Sequence, residues 1–161
     1  MGEFVLWGWE KKKRTMLRFI KPGDIFCFQY AENIYGFGRV LARMDVGNIV
    51  EIFNFISEYS TISKENIEES GRMFHPVNLD LYSLFDRKTE GEWRIIGHEE
   101  NYVPVNVDNV YFTYGVARSC KKVDIYGNTI SISEEEARDL PRLSILGDYH
   151  IKQLVKSKLG D

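Results

Sequence analysis

The chain has 161 residues, 43 % of them hydrophobic and 14 % aromatic, enough to bury a core without help from metals or disulfides. Its 21 basic and 24 acidic side chains leave a formal charge of −3, which argues against a general nucleic-acid binder, since that activity needs a basic surface to displace counterions. Cys27 and Cys120 are the only cysteines and stand outside any paired motif, so the sequence reads as a cytosolic domain with free thiols and neither a disulfide scaffold nor a zinc site.

The first apolar stretch, FVLWGW at residues 4–9, precedes the basic KKKR at 11–14. A secretory signal has the opposite order and an apolar run of about 7–15 residues. No segment reaches the roughly 18 uninterrupted apolar residues of a membrane span. Cytoplasmic residence is expected.

Lys21-Pro22-Gly23-Asp24 suits a type II turn, with Pro pre-setting φ and Gly taking the positive φ that follows. Two strands follow. In DIFCFQY, Phe26, Phe28 and Tyr30 share one face opposite Ile25, Cys27 and Gln29. In IYGFGRVLAR, one face carries Ile34, Gly36, Gly38, Val40 and Ala42, and the other carries Tyr35, Phe37, Arg39, Leu41 and Arg43. Two glycines on one side of a strand mark a bend or the close approach of another segment. The GFG sequence is a poor match to a phosphate loop, because the chain continues as strand with no GK[ST] behind it.

NIVEIFNFI at 48–56 reads as a further strand, central and only partly exposed, with Glu51 and Asn54 leaving neither face purely apolar. The polar stretch 57–70 is expected on the surface, and HPVNLDLYSLF at 75–85 fits either a short helix or a buried extended segment. Glu92–His98 and Asn109–Ala117 read as strands. VDIYGNTISIS suggests a tight hairpin around Gly127-Asn128, with Ile130 and Ile132 resuming the alternation of Val123 and Ile125. Ser133 and Glu136 have capping-box spacing ahead of a helix that Pro141 limits to about two turns. The last segment places Ile151, Leu154, Val155 and Leu159 on one helical stripe that ends at Gly160. The expected fold is a single α+β domain over residues 1–161: a predominantly antiparallel twisted sheet, open or partly closed into a barrel, with a helical C-terminal part at 133–160.

Catalytic signals are weak. His98-Glu99-Glu100-Asn101 lacks the second histidine one turn on that a zinc protease needs, and His75 and His150 read as structural or surface residues. There is no GxSxG elbow, and neither cysteine has a histidine near it in sequence. No catalytic residue, metal or cofactor is assigned. Carboxylates come in groups: Glu65, Glu68 and Glu69; Glu99 and Glu100 with Asp108; Glu134, Glu135 and Glu136 with Asp139. Those at 134–136 also suit the first turn of a helix, where they offset its dipole. A carboxylate-rich face would draw in a basic partner. Lys11–Arg14, Arg118, Lys121 and Lys122 read as ordinary surface charge.

KPGDIF, YGFGRVL, a hydrophobic strand and SLFDRKTEGEWRIIGHEEN together resemble the immunity protein 26 family of bacterial polymorphic toxin and contact-dependent inhibition systems, over about residues 18–117. The distinctive parts are Gly23-Asp24-Ile25-Phe26, Tyr35-Gly36-Phe37-Gly38-Arg39-Val40, and Trp93 with Ile96-Gly97. The resemblance implies a small cytoplasmic α+β protein without enzymatic activity that binds the C-terminal domain of a cognate toxin, often a nuclease, and blocks it in the producing cell. It carries no binding residues with it. The candidates for partner binding come from the acidic groups and one aromatic: Glu99, Glu100, Tyr102, Asp108, Glu134, Glu135, Glu136 and Asp139. Trp93 and Tyr111 are further possible anchors, with core packing the alternative fate of each. Direct nucleic-acid and membrane contacts are not expected. Two readings from other classes stand beside this one: a β-rich module that binds peptide or nucleic acid through a basic groove, and a hydrolase in which His98 or His75 meets a carboxylate inside a pocket.

Overall fold

A computed structural model describes residues 3–10, 20–45, 47–85 and 91–160. In chain order, the first half forms β1 (Phe4–Leu6), β2 (Asp24–Ala31), β3 (Ile34–Arg43), β4 (Asn48–Ser57), α1 (Lys64–Ser70), β5 (Val77–Leu79) and α2 (Leu81–Phe85). The second half forms β6 (Trp93–Glu99), β7 (Phe112–Tyr114), a 3-10 turn at Ala117–Ser119, β8 (Lys121–Val123), β9 (Thr129–Ser131), α3 (Glu134–Arg138), β10 (Ile145–Leu146) and α4 (Asp148–Leu159). The basic run at 11–14 lies outside the described residues.

The Pro22-Gly23 turn forms as its sequence requires: Gly23 has φ +97° and the Asp24 N–H donates to Lys21 O at 3.0 Å. β2 and β3 then pair so that Phe26 faces Gly38 and Phe28 faces Gly36. Each phenyl ring lies across the glycine opposite it. A Cβ at residue 36 would strike the Phe28 ring, and one at 38 would strike the Phe26 ring and Glu51 O. On the other side of β2, Trp93 of β6 pairs with Phe28, and the two rings stack at 4.5 Å between centroids. The Trp93 indole N–H donates to Asp148 Oδ1 at 2.8 Å, which fixes the start of α4 against the sheet. The glycines therefore serve the close approach of aromatic rings, and the chain runs straight through them as strand.

The large sheet has the order β1-β6-β2-β3-β4-β5-β10 and is antiparallel except for the β5–β10 pair. Its edge strands β1 and β10 do not pair with each other, so the sheet is open and no barrel closes. A second antiparallel sheet, β7-β8-β9, meets the segment leading to β10, where the Thr113 N–H donates to Pro141 O and the Leu143 N–H to Thr113 O, both at 2.8 Å.

Both faces of the large sheet are covered, which is why β2 reads as an almost continuous apolar run. One face packs Phe26, Phe28, Val40, Ile52 and Trp93 under α2 and α4 through Phe85, Ile151 and Val155. The other packs Ile25, Cys27, Phe37 and Phe53 under Trp9, Ile62 and Ile67 of α1. A third cluster joins Leu41 and Ile49, at the far ends of β3 and β4, to Val110, Phe112, Val123 and Ile125 of the small sheet and its approach.

Several elements differ from the sequence reading. Residues 57–70 are not simply polar surface, because Ser63 caps α1 in a capping box with Asn66 and Ile67 is buried. The ambiguous stretch at 75–85 contains both structures, strand β5 and then helix α2. Only Phe112–Tyr114 of the strand expected at 109–117 forms, since Gly115 at φ +87° turns the chain away. The β8–β9 connection spans residues 124–128, with Asp124 Oδ1 accepting the N–H groups of Tyr126 and Asn128, so it is longer than a two-residue Gly-Asn turn. That longer loop leaves Ile130 exposed. At α3 only half of the expected capping box forms: Ser133 Oγ accepts the Glu136 N–H, while the Glu136 carboxylate turns to Lys122 Nζ at 3.0 Å. On α4, Ile151 and Val155 are buried, while Leu154 and Leu159 are partly exposed.

Replacing Gly36 by Val should destabilise the fold by about 1–3 kcal/mol or more through overpacking against the Phe28 ring, read as a lower urea midpoint by tryptophan fluorescence. Both cysteines are buried, and burial pushes the Cys27 thiol well above its ordinary value. Ellman's reagent at pH 8 should therefore find no reactive thiol in the native protein and both thiols once the chain is unfolded.

Candidate functional site

Alternation along β3 places Gly36 and Gly38 toward α2 and α4, and it places Phe37 and Arg39 on the opposite face. Arg39 stands directly opposite Glu51 of β4. Its Nε and Nη2 both reach Glu51 Oε2 at 2.9 Å, and its Nη1 donates to Glu99 Oε1 of β6 at 3.0 Å. The other Glu51 oxygen, Oε1, takes Arg72 Nε at 2.9 Å. Glu51 is only 5 % exposed, so this carboxylate is stable inside the sheet because two guanidinium groups grip it.

Arg72 reaches further. Its Nη1 and Nη2 donate to the carbonyls of Asn106 and Val105, at 2.6 and 2.9 Å. The Arg39 guanidinium also lies over the Tyr102 ring, 4.3 Å from its centroid. These contacts tie the β6–β7 connection, residues 100–111, to the middle of the sheet. Between that loop and α1 runs a groove of about 520 Å³ with Arg39, Glu51, Arg72 and Glu99 along its floor and Val103 and Val105 on its rim. The Tyr102 hydroxyl is buried without a hydrogen-bond partner among the described residues, and burial together with the Glu51 charge pushes its pKa up to about 12.

The floor is internally paired. Each guanidinium nitrogen of Arg39 and Arg72 already meets a carboxylate or a carbonyl, which commits three of the five N–H donors on each side chain to partners within the protein. His98 sits across the strand pair from Asp24, with Nδ1 at 2.7 Å from Asp24 Oδ1 and Nε2 at 3.9 Å from Glu100 Oε1. Asp24 also accepts the Lys21 N–H at 3.0 Å; burial raises its pKa, against the pull of those hydrogen bonds. The His98 pair does meet a carboxylate, but it is built into the β2–β6 ladder and does not line the groove. His75 does line a second, smaller apolar groove of about 250 Å³ beside Phe112 and Leu154, and no carboxylate lines that one. There the His75 Nδ1 lies 2.7 Å from Pro76 O, and burial lowers the pKa of the ring. Among the described residues no group of three or more His, Cys, Asp or Glu side chains is arranged to hold a metal ion.

The sequence-derived candidates fall into two places. Glu99 and Tyr102 line the groove, and Glu100 and Asp108 are exposed on the loop beside it. Glu134, Glu135, Glu136 and Asp139 lie on and just after α3, next to the small sheet, where Glu136 pairs with Lys122 and Glu134 with Arg138. Trp93 is core, and Tyr111 packs against Lys122 Nζ at 4.5 Å. Sequence reasoning did not single out Arg39, Glu51 or Arg72 as a unit. The available signal was a glutamate inside an otherwise apolar central strand, which must find cations wherever the fold can supply them.

Glu51→Gln should leave Arg72 without a counter-charge and Arg39 with Glu99 alone, and destabilise the protein by about 3 kcal/mol, measured by urea denaturation. Loss of Glu51 should also loosen residues 102–107, visible as faster amide hydrogen exchange there.

Comparison with curated proteins and with solved structures returned no significant match. A family model described as immunity protein 26 matches residues 21–124, from the turn before β2 to the residue after β8. That match spans well over half of the sequence and contains the whole Arg39–Glu51–Arg72–Glu99 network, and on this evidence the chain belongs to the immunity protein 26 family.

Proposed function

We propose that this protein is a stoichiometric inhibitor that works in the cytoplasm of the cell that makes it, binding the C-terminal domain of a cognate toxin, a nuclease, and silencing it without turning anything over. Family membership over residues 21–124 is the observation that carries this reading. The site chemistry supports it. The two half-buried arginines of the groove floor hold internal partners at each guanidinium nitrogen, which disfavours their use as the phosphate grip of a nucleic-acid-binding module. The His98–Asp24 pair lines neither of the two grooves described above, which weighs against a hydrolase that would place this pair beside substrate there. The exposed carboxylates Glu100, Asp108, Glu134, Glu135 and Asp139 supply the charge that would steer a basic toxin toward the protein.

The test is co-expression of this protein with the C-terminal domain of the toxin encoded by the adjoining gene. Cells should survive with both and die with the toxin domain alone, and the two chains should co-elute. In a purified nuclease assay, inhibition should fall on a straight line that ends at one equivalent and should not deepen with longer incubation. Unchanged killing without a complex would reject the reading. Substoichiometric inhibition that grows with time would reject the binding mechanism in favour of catalysis.

A further inference from the structure

Val103 and Val105 are apolar and lie in water, 70 % and 58 % exposed, on the rim of the groove between α1 and the β6–β7 loop. Single exposed apolar residues are ordinary on protein surfaces. These two differ because the backbone that carries them is fixed at several points. Tyr102 lies beneath the Arg39 guanidinium, Arg72 grips the carbonyls of Val105 and Asn106, and Val107 and Val110 are buried in the third cluster. Two valines held this way have little conformational freedom left to lose when a partner covers them.

Charge narrows the choice of partner. On the floor, Arg39 and Arg72 are balanced by Glu51 and Glu99. Lys64 and Glu68 of α1 line the groove and balance as well, and the acidic excess lies around it: α1 also exposes Glu65 and Glu69, and the loop exposes Glu100 and Asp108 with no basic residue between 100 and 111. An apolar ridge beside a neutral groove with surplus carboxylates around it fits a protein surface that presents an apolar patch ringed by lysine or arginine, and it disfavours a polyanion. The α3 acids form a weaker candidate, because two of them are already paired on the surface.

We propose that the cognate toxin domain docks across this groove, setting an apolar patch on Val103 and Val105 and basic side chains against Glu68 and Glu100, with Arg72 as a positioning residue that holds the loop in its binding shape. This inference rests on the immunity reading, and its test separates the two. Affinity for the toxin C-terminal domain from the adjoining gene is measured by calorimetry and stopped-flow mixing. Val103→Lys with Val105→Lys should weaken binding by about 100-fold or more, the size expected when central contacts are replaced by like charge, with an unchanged melting temperature because both positions are exposed. Glu68→Lys with Glu100→Lys should slow association about tenfold and flatten its salt dependence. Arg72→Ala should speed dissociation and hydrogen exchange at residues 103–107, a combination that loss of a direct contact alone would not give. Glu134→Lys with Glu135→Lys should stay within about twofold of wild type. Wild-type affinity in the double-valine variant, or a large loss confined to the α3 variant, would overturn the groove while leaving the immunity reading intact. Failure of the wild-type protein to bind that domain would overturn both.

Discussion

Phe26 and Phe28 lie across β3 because Gly38 and Gly36 stand opposite them, and this packing fixes the register of the whole large sheet. Side chains alternate along a strand, so a slip of one residue would bring Phe37 and Arg39 opposite the two rings and turn every side chain of β3 to the wrong face. The consequence spreads outward from there. Phe28 stacks on Trp93, Trp93 bonds to Asp148, and Asp148 begins the helix that closes one layer of the core. Two missing Cβ atoms thus set the position of an element more than a hundred residues further along the chain.

The same alternation that sends the glycines to one face delivers Arg39 to the other, beside Glu51. Buried ion pairs seldom add much stability compared with apolar residues of the same volume, because taking charges out of water offsets their attraction. What this network contributes is connection. Glu51 on β4, Arg39 on β3, Glu99 at the end of β6 and Arg72 from the segment after α1 meet at one point, and Arg72 extends the grip to the backbone of the β6–β7 loop. The loop therefore inherits its shape from the sheet register and, through it, from the glycine–aromatic pairs on the opposite face.

Much of this was legible in the sequence wherever a local pattern determined the outcome. The Pro22-Gly23 turn, the two-faced alternation of β2 and β3, the glycines as a site of close approach, the Ser133 cap and the Gly160 stop, at φ +83°, all depend on near neighbours. The acidic and aromatic groups were visible too, and Glu99 and Tyr102 do line the groove. The failures share a cause. α1 shows only one buried apolar residue, too little for a helical period, and its Ser63–Asn66 capping box was the one local sign of it. The Arg39–Glu51–Arg72 unit joins residues far apart in sequence, so composition gives each charge and only the fold gives the pairing. Ile130 reads as a buried strand position, yet the length of the loop before it decides which way it faces, and that length follows from the hydrogen bonds of Asp124.

On the proposed function, silencing a nuclease inside the cell that makes both proteins, two opposed demands apply. The protein has to associate fast, which favours surface charge, and it must not be drawn to the nucleic acid that surrounds it, which forbids exposed phosphate-gripping arginines. The arrangement around Glu51 is compatible with both. The guanidinium groups are turned onto carboxylates and carbonyls of the protein, so they stiffen the loop and each guanidinium nitrogen is held by an internal partner. The exposed charge around the groove, Glu65, Glu69, Glu100 and Asp108, is carboxylate, which would attract a basic toxin surface and repel a nucleic acid. Stiffness then governs residence time: a rim already held in place gives up little entropy on contact, so the contacts it makes are expressed in slow dissociation.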